Sequence, residues 1–200
     1  ETQIPKVFLD TSSLVAPDEL NGDLLLMESR TSVRRITCHL LEQGRTLPGF
    51  IGDISYAQSN RERYEGFCQA LADAGKKVDS SLCLTTPLGI DTYREEIDTF
   101  LSSLSRMPDA FVCASDYVAC ILMQLLEKRG LRVPEDVAVS GFDNNTEDLL
   151  AEHLTTVQVF NEELGARLAL QILYRIKYPN TPHEITYLGT NVLYRDSTGD

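Results

Sequence analysis

The chain has 200 residues, of which 42% are hydrophobic and 24% charged, which is ordinary for a globular protein and sufficient for a sizeable core. Its 18 lysines and arginines against 30 aspartates and glutamates give a net charge of −12. This charge argues against a chain that itself grips nucleic-acid phosphates or an anionic membrane surface. No run approaches the eighteen apolar residues of a membrane-spanning helix, and no secretory signal opens the chain.

Short apolar segments alternate with segments of helical periodicity along the chain. The predicted elements are, in order, strands at 6–10 and 23–27, a helix at 31–43, a strand at 48–53, a helix at 61–73, a strand at 82–85, a helix at 91–104, a strand at 110–114, a helix at 116–126, a strand at 137–141, an extended segment at 154–159, a helix at 162–176, and one or two strands within 184–194. Such alternation predicts an α/β fold with a mostly parallel sheet.

Polar side chains follow nearly every predicted strand. They are Asp10, Asp53 with Ser55, Thr85 with Thr86, Ser115 with Asp116, and Asp143 with Asn144. Ligands of open α/β sheets bind beyond the carboxyl ends of the strands, so we expect these residues to share one edge. Carboxylates and hydroxyls at this edge would suit a polyhydroxy ligand, because carboxylates accept hydrogen bonds from neighbouring hydroxyl groups.

The same residue types are also preferred as helix caps and turn formers, so a structural interpretation stays open for each of them. We favour that interpretation for Asp53 and Asp116, with Asp116 as the cap of the following helix. We favour a ligand-binding role for Asp143, because it follows Gly141–Phe142 and does not directly begin a helix. Arg63, one turn into its helix, either reaches a ligand at this edge or is a solvated surface residue.

The sequence has no recognisable signature of catalysis, cofactor binding or metal binding. It contains no GxGxxG, no GxxxxGK[ST] and no GxSxG. The three histidines are scattered, and the five cysteines show no CxxC spacing. We therefore expect no enzyme, no cofactor and no metal, and we expect free, mostly buried thiols, as in a reducing cytoplasm.

The second half of the chain shows a family resemblance. Residues 114–119 read Ala-Ser-Asp-Tyr-Val-Ala, and residues 126–144 include Arg-Gly-Leu-Arg-Val-Pro-Glu-Asp-Val-Ala-Val-Ser-Gly-Phe-Asp-Asn. These segments resemble the LacI/GalR family of bacterial transcriptional regulators. Residues 154–157 and 163–165 are similar to that family's crossover and following helix, and 194–198 resembles its terminal Arg-Glu-Ser-Thr signature. The resemblance spans almost the whole chain.

The resemblance implies an effector-binding core of the periplasmic-binding-protein type, with doubly wound parallel sheets. In that family two lobes close around a small molecule, often a sugar or nucleoside, and closure alters DNA binding by a separate N-terminal helix-turn-helix. Residues 1–23 and 157–188 would be remnants of the first lobe, and residues 24–156 with 189–200 would be the complete second lobe. The DNA-binding domain and about half of the first lobe would lie outside this chain. The family also implies a cytoplasmic homodimer that binds operator DNA.

Five candidate ligand-binding residues follow from the resemblance. Carried over position by position, it places Asp10, Arg63, Ser115 and Asp143 where family members contact their effector, and Tyr93 near another contact position. Ser115 is a departure, because the family usually has Asn there and Ser lacks the paired donor and acceptor of the amide.

The sequence leaves two alternative functions open. It also leaves open whether one apolar helix face packs in the core or forms a dimer contact. A secreted solute-binding protein shares the fold, although five unpaired cysteines argue against it. An enzyme on a doubly wound fold would need a catalytic constellation that the sequence does not show. The predicted helix from residue 116 has a broad apolar stripe that suits either core packing or a dimer contact: Val118, Ile121, Leu122, Leu125 and Leu126.

Overall fold

In a computed structural model, which describes residues 4–89, 91–145 and 152–199, strands and helices alternate along the chain as predicted. The strands are β1 (Val7–Leu9), β2 (Asp23–Met27), β3 (Pro48–Ile51), β4 (Cys83–Leu84), β5 (Ala110–Cys113), β6 (Ala138–Ser140), β7 (Thr156–Gln158), β8 (Ile185–Leu188) and β9 (Asn191–Leu193). The helices are α1 (Arg30–Glu42), α2 (Gln58–Asp73), α3 (Tyr93–Ser103), α4 (Asp116–Lys128) and α5 (Asn161–Lys177). The predicted α/β class is confirmed.

The larger sheet has the strand order β4-β3-β5-β6, and all its pairings are parallel. Every residue of its two central strands, β3 and β5, is buried. Since successive side chains of a strand point to opposite sides, both faces of the sheet are buried there. Phe50 and Val112 pack in a cluster with α1 and α2. Ile51 and Phe111 pack in a second cluster with α3 and α4. Helices therefore cover both faces, as in doubly wound folds.

The smaller sheet has the order β1-β2-β8 and is also parallel. Its central strand β2 is apolar and buried, with Leu25 only 1% exposed. Strand β1 lies at the edge and is only partly buried, with Leu9 47% exposed. The expectation of a buried strand at 6–10 is therefore wrong, because an edge strand has a neighbour on one side only.

The two expected lobe boundaries fall inside strands that pair with other strands. The boundary expected between residues 23 and 24 falls inside β2, whose hydrogen-bonded partners are β1 and β8. The boundary expected between residues 156 and 157 falls inside β7, which pairs with β9 in an antiparallel ribbon. This ribbon adjoins the larger sheet through a bridge between Ser140 and Thr155. Strand pairing therefore favours divisions after β2 and after β7.

Helix starts also differ in detail from the sequence predictions. Helix α2 begins at Gln58, three residues before its predicted start. The cap of α4 is Ser115 rather than Asp116, because the Ser115 hydroxyl accepts a hydrogen bond from the backbone N–H of Val118 at 3.3 Å. Helix α5 begins at Asn161, one residue before its predicted start.

The apolar stripe of α4 lies in the chain's own core. Its five members are at most 7% exposed: Val118, Ile121, Leu122, Leu125 and Leu126. They pack in one cluster with side chains of α3, β5 and β6. Core packing therefore accounts for the stripe, and the stripe offers no free surface to a second copy of the chain.

Two further expectations concern the cysteines and the membrane. All five cysteines are thiols rather than disulfides; Cys113 and Cys120 are buried, whereas the other three are half-buried. Within the described ranges, no helix is both long and apolar enough to cross a bilayer.

Candidate functional site

The carboxyl ends of β3, β5 and β6 meet at one edge of the larger sheet, because these strands are parallel. Asp53, Ser115 and Asp143 each follow one of these strands within three residues. Asp10 directly follows β1 of the smaller sheet, and it reaches the same region because it accepts a hydrogen bond from Ser59 in the first turn of α2. These four polar residues therefore lie near one edge, as the sequence predicts.

Arg63 is the buried centre of this edge. It is 5% exposed, so its interpretation as a solvated surface arginine is wrong. One Nη donates to the carbonyl of Ala114 and to Asn60 Oδ1, and the guanidinium carbon lies 3.7 Å from the centre of the Phe142 ring. The other Nη lies 3.6 Å from Asp143 Oδ1. Among the described residues, the buried Nε has no hydrogen-bond partner.

Carboxylates dominate the charge around this guanidinium. Burial lowers the pKa of Arg63, and four carboxylates oppose that effect. They are, in decreasing order, Asp143, Asp10, Asp116 and Glu62. Arginine stays protonated in proteins, so this part of the edge places the Arg63 cation among several anions. It therefore presents more hydrogen-bond acceptors than donors.

Asp143 sits in a turn with unusual backbone geometry. Its φ is 111° and that of Asn144 is 53°, in the region that favours glycine. Its N–H donates to the carbonyl of Val157 at 3.0 Å, which ties the turn to β7. Burial raises the pKa of the Asp143 carboxyl, and Arg63 opposes this. The side chain is still 44% exposed, so the carboxylate faces Arg63 on one side and solvent on the other.

Asp10 caps α2 from a distant part of the chain. Its Oδ2 accepts from the Ser59 hydroxyl at 2.5 Å, and its Oδ1 accepts from the N–H groups of Thr11 at 2.7 Å and Ser59 at 3.4 Å. The local cap position, Ala57, has no side chain that can accept a hydrogen bond. Asp10 therefore has a structural role in addition to its place near Arg63.

Ser115 and Tyr93 lie further from the guanidinium. The Ser115 hydroxyl accepts from the Val118 N–H as the cap of α4, and its proton can still be donated. Tyr93 begins α3, and its ring meets that of Tyr117 edge to face at 5.7 Å. Burial raises the pKa of Tyr93, with Asp53 the next largest influence. Asp10, Arg63 and Asp143 are thus brought together, Ser115 adjoins them through Ala114, and Tyr93 lies to one side.

Asp53 and Asp116, two further polar residues at strand ends, have structural partners. Asp53 Oδ1 accepts from the N–H and hydroxyl of Ser55 at 2.8 and 2.6 Å, which agrees with the turn-forming interpretation. Asp116 is expected to cap α4, but it is buried, with only 2% of the residue exposed. Its carboxylate accepts from the Thr156 hydroxyl at 2.5 Å and from the Asn145 N–H at 2.7 Å. It thus joins α4 to two other segments.

Sequence reasoning missed the residues that hold Arg63. Phe142 stacks on the guanidinium and Asn60 accepts from it. Asn60 lies three residues before Arg63 on α2, a spacing that places both on one face of a helix and that could have identified it. Phe142 directly precedes Asp143 at a strand end, but nothing in its local sequence indicates an arginine as its partner.

Comparison with known protein families gives a match over most of the chain. The family described as the periplasmic binding protein-like domain matches residues 37–198. The HTH-type transcriptional regulator DegA of Bacillus subtilis is 35% identical over 166 residues, which are 82% of this chain and 47% of DegA. The HTH-type transcriptional repressor PurR of Actinobacillus pleuropneumoniae is 29% identical over 184 residues, which are 92% of this chain and 53% of PurR. The chain thus spans about half the length of these relatives.

A solved structure shows the same fold with a bound sugar. The chain is similar to the transcriptional regulator CelR in complex with cellobiose, with a TM-score of 0.84 and 26% sequence identity. The similarity covers 96% of this chain and 58% of the CelR chain.

Proposed function

Because the chain belongs to the periplasmic binding protein-like domain family, as an effector-binding domain of the LacI/GalR regulators, we propose that it senses a small polyhydroxy molecule, a sugar or nucleoside, for a bacterial transcriptional regulator. Asp10, Arg63, Ser115 and Asp143 would form the ligand site, with Tyr93 at its margin. The protein would act in the cytoplasm as a homodimer, without catalysis. A separate helix-turn-helix would bind operator DNA, since the acidic chain itself is unsuited to it.

The observation that supports this ligand class is the buried guanidinium among carboxylates. Arg63 has an Nε donor without a partner among the described residues, while the half-exposed Asp143 carboxylate offers acceptors on the solvent side. A ligand that both donates and accepts satisfies this pair, and hydroxyl groups do both. A cellobiose complex of a similar regulator supports a sugar as ligand.

A change of lobe arrangement would transmit binding. Asp10 follows a strand of the smaller sheet, whereas Ser115 and Asp143 follow strands of the larger sheet and Arg63 lies on α2, which packs against the larger sheet. A ligand that contacts both sets binds better when the two sheets are close, and it shifts the population toward that arrangement. A shift from 1:99 to 99:1 requires about 5.5 kcal/mol of differential affinity. Two or three charged hydrogen bonds, at roughly 1.5–3 kcal/mol each, are of that size.

A secreted solute-binding protein is the alternative with the same fold. The five thiols argue against it, because free cysteines are uncommon in oxidising compartments. The regulators among the relatives argue against it as well.

Calorimetric titration tests the proposal. Cellobiose, ribose, xylulose and a set of purine and pyrimidine nucleosides would each be titrated into the full chain. For a probe that binds, we expect Arg63→Met and Asp143→Asn to weaken binding about 10- to 100-fold, since each removes a charged hydrogen bond.

Arg129→Met is the matched control for this titration. Arg129 also forms an ion pair, with Asp98 at 2.7 Å, but it lies at the far end of α4. It should leave the affinity unchanged. Binding that both site variants retain in full would contradict the proposed site.

A further inference from the structure

Two consecutive residues of the turn after β6, Asp143 and Asn144, have positive φ, although neither is glycine. L residues adopt this region at a cost in energy, so the surrounding contacts must impose it. The orientation of the Asp143 carboxylate toward Arg63 depends on this backbone geometry. The contacts that hold the turn therefore matter for the site.

Asp116 contacts this turn at both ends. Its N–H donates to the carbonyl of Phe142 at 2.8 Å, immediately before Asp143. Its Oδ2 accepts from the N–H of Asn145 at 2.7 Å, just after the two strained residues. The first turn of α4, to which Asp116 belongs, therefore contacts both ends of the segment 142–145.

Thr156 on β7 contacts both Asp116 and the turn. Its hydroxyl donates to Asp116 Oδ1 at 2.5 Å and accepts from the N–H of Asn144 at 3.3 Å. Both Asp116 and Thr156 are buried, so water competes little for these bonds. A Cβ at Gly141 would clash with the Asp116 carboxylate, which shows how closely the strand end approaches it.

We infer that Asp116 is a positioning residue for ligand binding, which holds the 142–145 turn so that the Asp143 carboxylate stays opposite Arg63. This inference rests on the proposed ligand site, but the geometry that it predicts can be measured without a ligand. Asp116 acts through the turn and does not itself contact the ligand.

The charges around Asp116 provide a specific signal for the test. Burial raises the pKa of Asp116 to about 6, against the hydrogen bonds from Thr156 and Asn145. Asp143 in the turn raises it further, and Arg195 from the C-terminal segment lowers it. Arg63 on α2 also interacts with this carboxylate. When a carboxylate that accepts a hydrogen bond from an N–H becomes protonated, the NMR resonance of that amide shifts.

The first experiment is a pH titration of the ¹H–¹⁵N spectrum of the full chain. We expect the Asn145 amide to shift with a midpoint near pH 6, and Asp116→Asn to abolish that titration. The Arg132 amide is the internal control. The Arg132 N–H donates at 2.9 Å to the carboxylate of Asp136, whose pKa is lowered to about 2. The Arg132 amide resonance should therefore not move between pH 5 and 8.

The second experiment measures the turn itself through the ¹³Cα and ¹³Cβ shifts of Asp143 and Asn144. Asp116→Asn keeps an oxygen for the Asn145 N–H, so these shifts should retain their positive-φ values. Asp116→Ala should move both toward ordinary values. If it fails to fold, Thr156→Val, which removes one hydroxyl of the arrangement, should move the Asn144 shift. Asp136→Ala is the control and should change neither.

The outcomes separate this inference from the proposed function. A flat Asn145 amide, Asp143 shifts that survive Asp116→Ala, or an Asn144 shift that survives Thr156→Val would overturn the positioning role even if sugars bind. With a bound probe, Asp116→Ala should lower affinity at least tenfold, whereas Asp116→Asn should stay within about threefold. If the spectra behave as expected but no probe binds, the proposed ligand class fails and the role in holding the turn stands.

Discussion

Single residues at the sheet edge combine structural and site roles. Asp10 caps α2 while it contributes charge near Arg63, and Ser115 caps α4 while its hydroxyl stays at the edge. For Asp116, the sequence interpretation as a cap was wrong, because its side chain bonds Thr156 and the 142–145 turn instead. Side-chain oxygens beside helix starts satisfy backbone donors first, so a polar strand end alone does not define a binding residue.

The raised pKa of Asp116 predicts a specific pH dependence of stability. The folded value of about 6 lies above the unfolded value near 3.8, so the folded state binds this proton more tightly. This contribution is fully present below about pH 4 and is lost as the pH rises to about 6. The size is on the order of 3 kcal/mol for a shift of about two pKa units.

Asp116→Asn isolates this contribution, since the amide does not titrate. Urea unfolding of both proteins between pH 4 and 8 should show the unmodified chain losing stability relative to the variant from pH 4 to 6. Above about pH 6.5 the difference should be constant. A difference that is constant over the whole range would show that Asp116 titrates normally.

At the scale of elements, a buried ion pair joins α5 to the smaller sheet. Asp23 at the start of β2 accepts from Arg175 Nε at 2.9 Å and from Gln171 at 2.6 Å, and it also accepts from the N–H of Glu184 before β8. The side chains of Asp23 and Arg175 are 2% and 4% exposed. Burial raises the pKa of Asp23, but these hydrogen bonds outweigh it and the net pKa is lowered.

Asp23→Asn should lower the free energy of unfolding by about 3 kcal/mol, because it leaves Arg175 buried without its counterion. Urea unfolding at pH 7 measures this. The double variant Asp23→Asn with Arg175→Met should be less destabilised than the sum of the single variants, since no unpaired charge remains. Strict additivity, or a loss below about 1 kcal/mol for Asp23→Asn, would contradict a stabilising pair.

Local periodicity predicted the strands and helices, but it could not predict their partners. The apolar run of β2 identified a strand, while its pairing with β8 joins residues more than 150 positions apart. The expected boundary after residue 23 falls inside β2, because local sequence carries no information on strand pairing. The late start predicted for α2 has a similar cause: its first turn is polar, and its cap, Asp10, lies 49 residues from Ser59.

For the whole molecule, the first turns of α2 connect the two sheets. Asp10 bonds Ser59, and the Gln58 N–H donates to the carbonyl of Thr11 at 2.7 Å. Tyr187 on β8 donates to the buried Glu62 carboxylate at 2.7 Å. Arg63 follows directly in the same helix. In the proposed function, a ligand held by Arg63 would therefore act on the element that joins the two sheets, which would couple binding to their arrangement.

The most direct test of the central claim is to map where a ligand binds. The full chain would be titrated with the sugar or nucleoside that binds best, and amide shifts would be followed in ¹H–¹⁵N spectra. We predict the largest changes in the strand ends and first helical turns at residues 10–11, 53–63, 114–117 and 142–145. Changes centred instead on the surface groove between β4 and α3, lined by Leu84, Glu95 and Phe100, would contradict the proposed site.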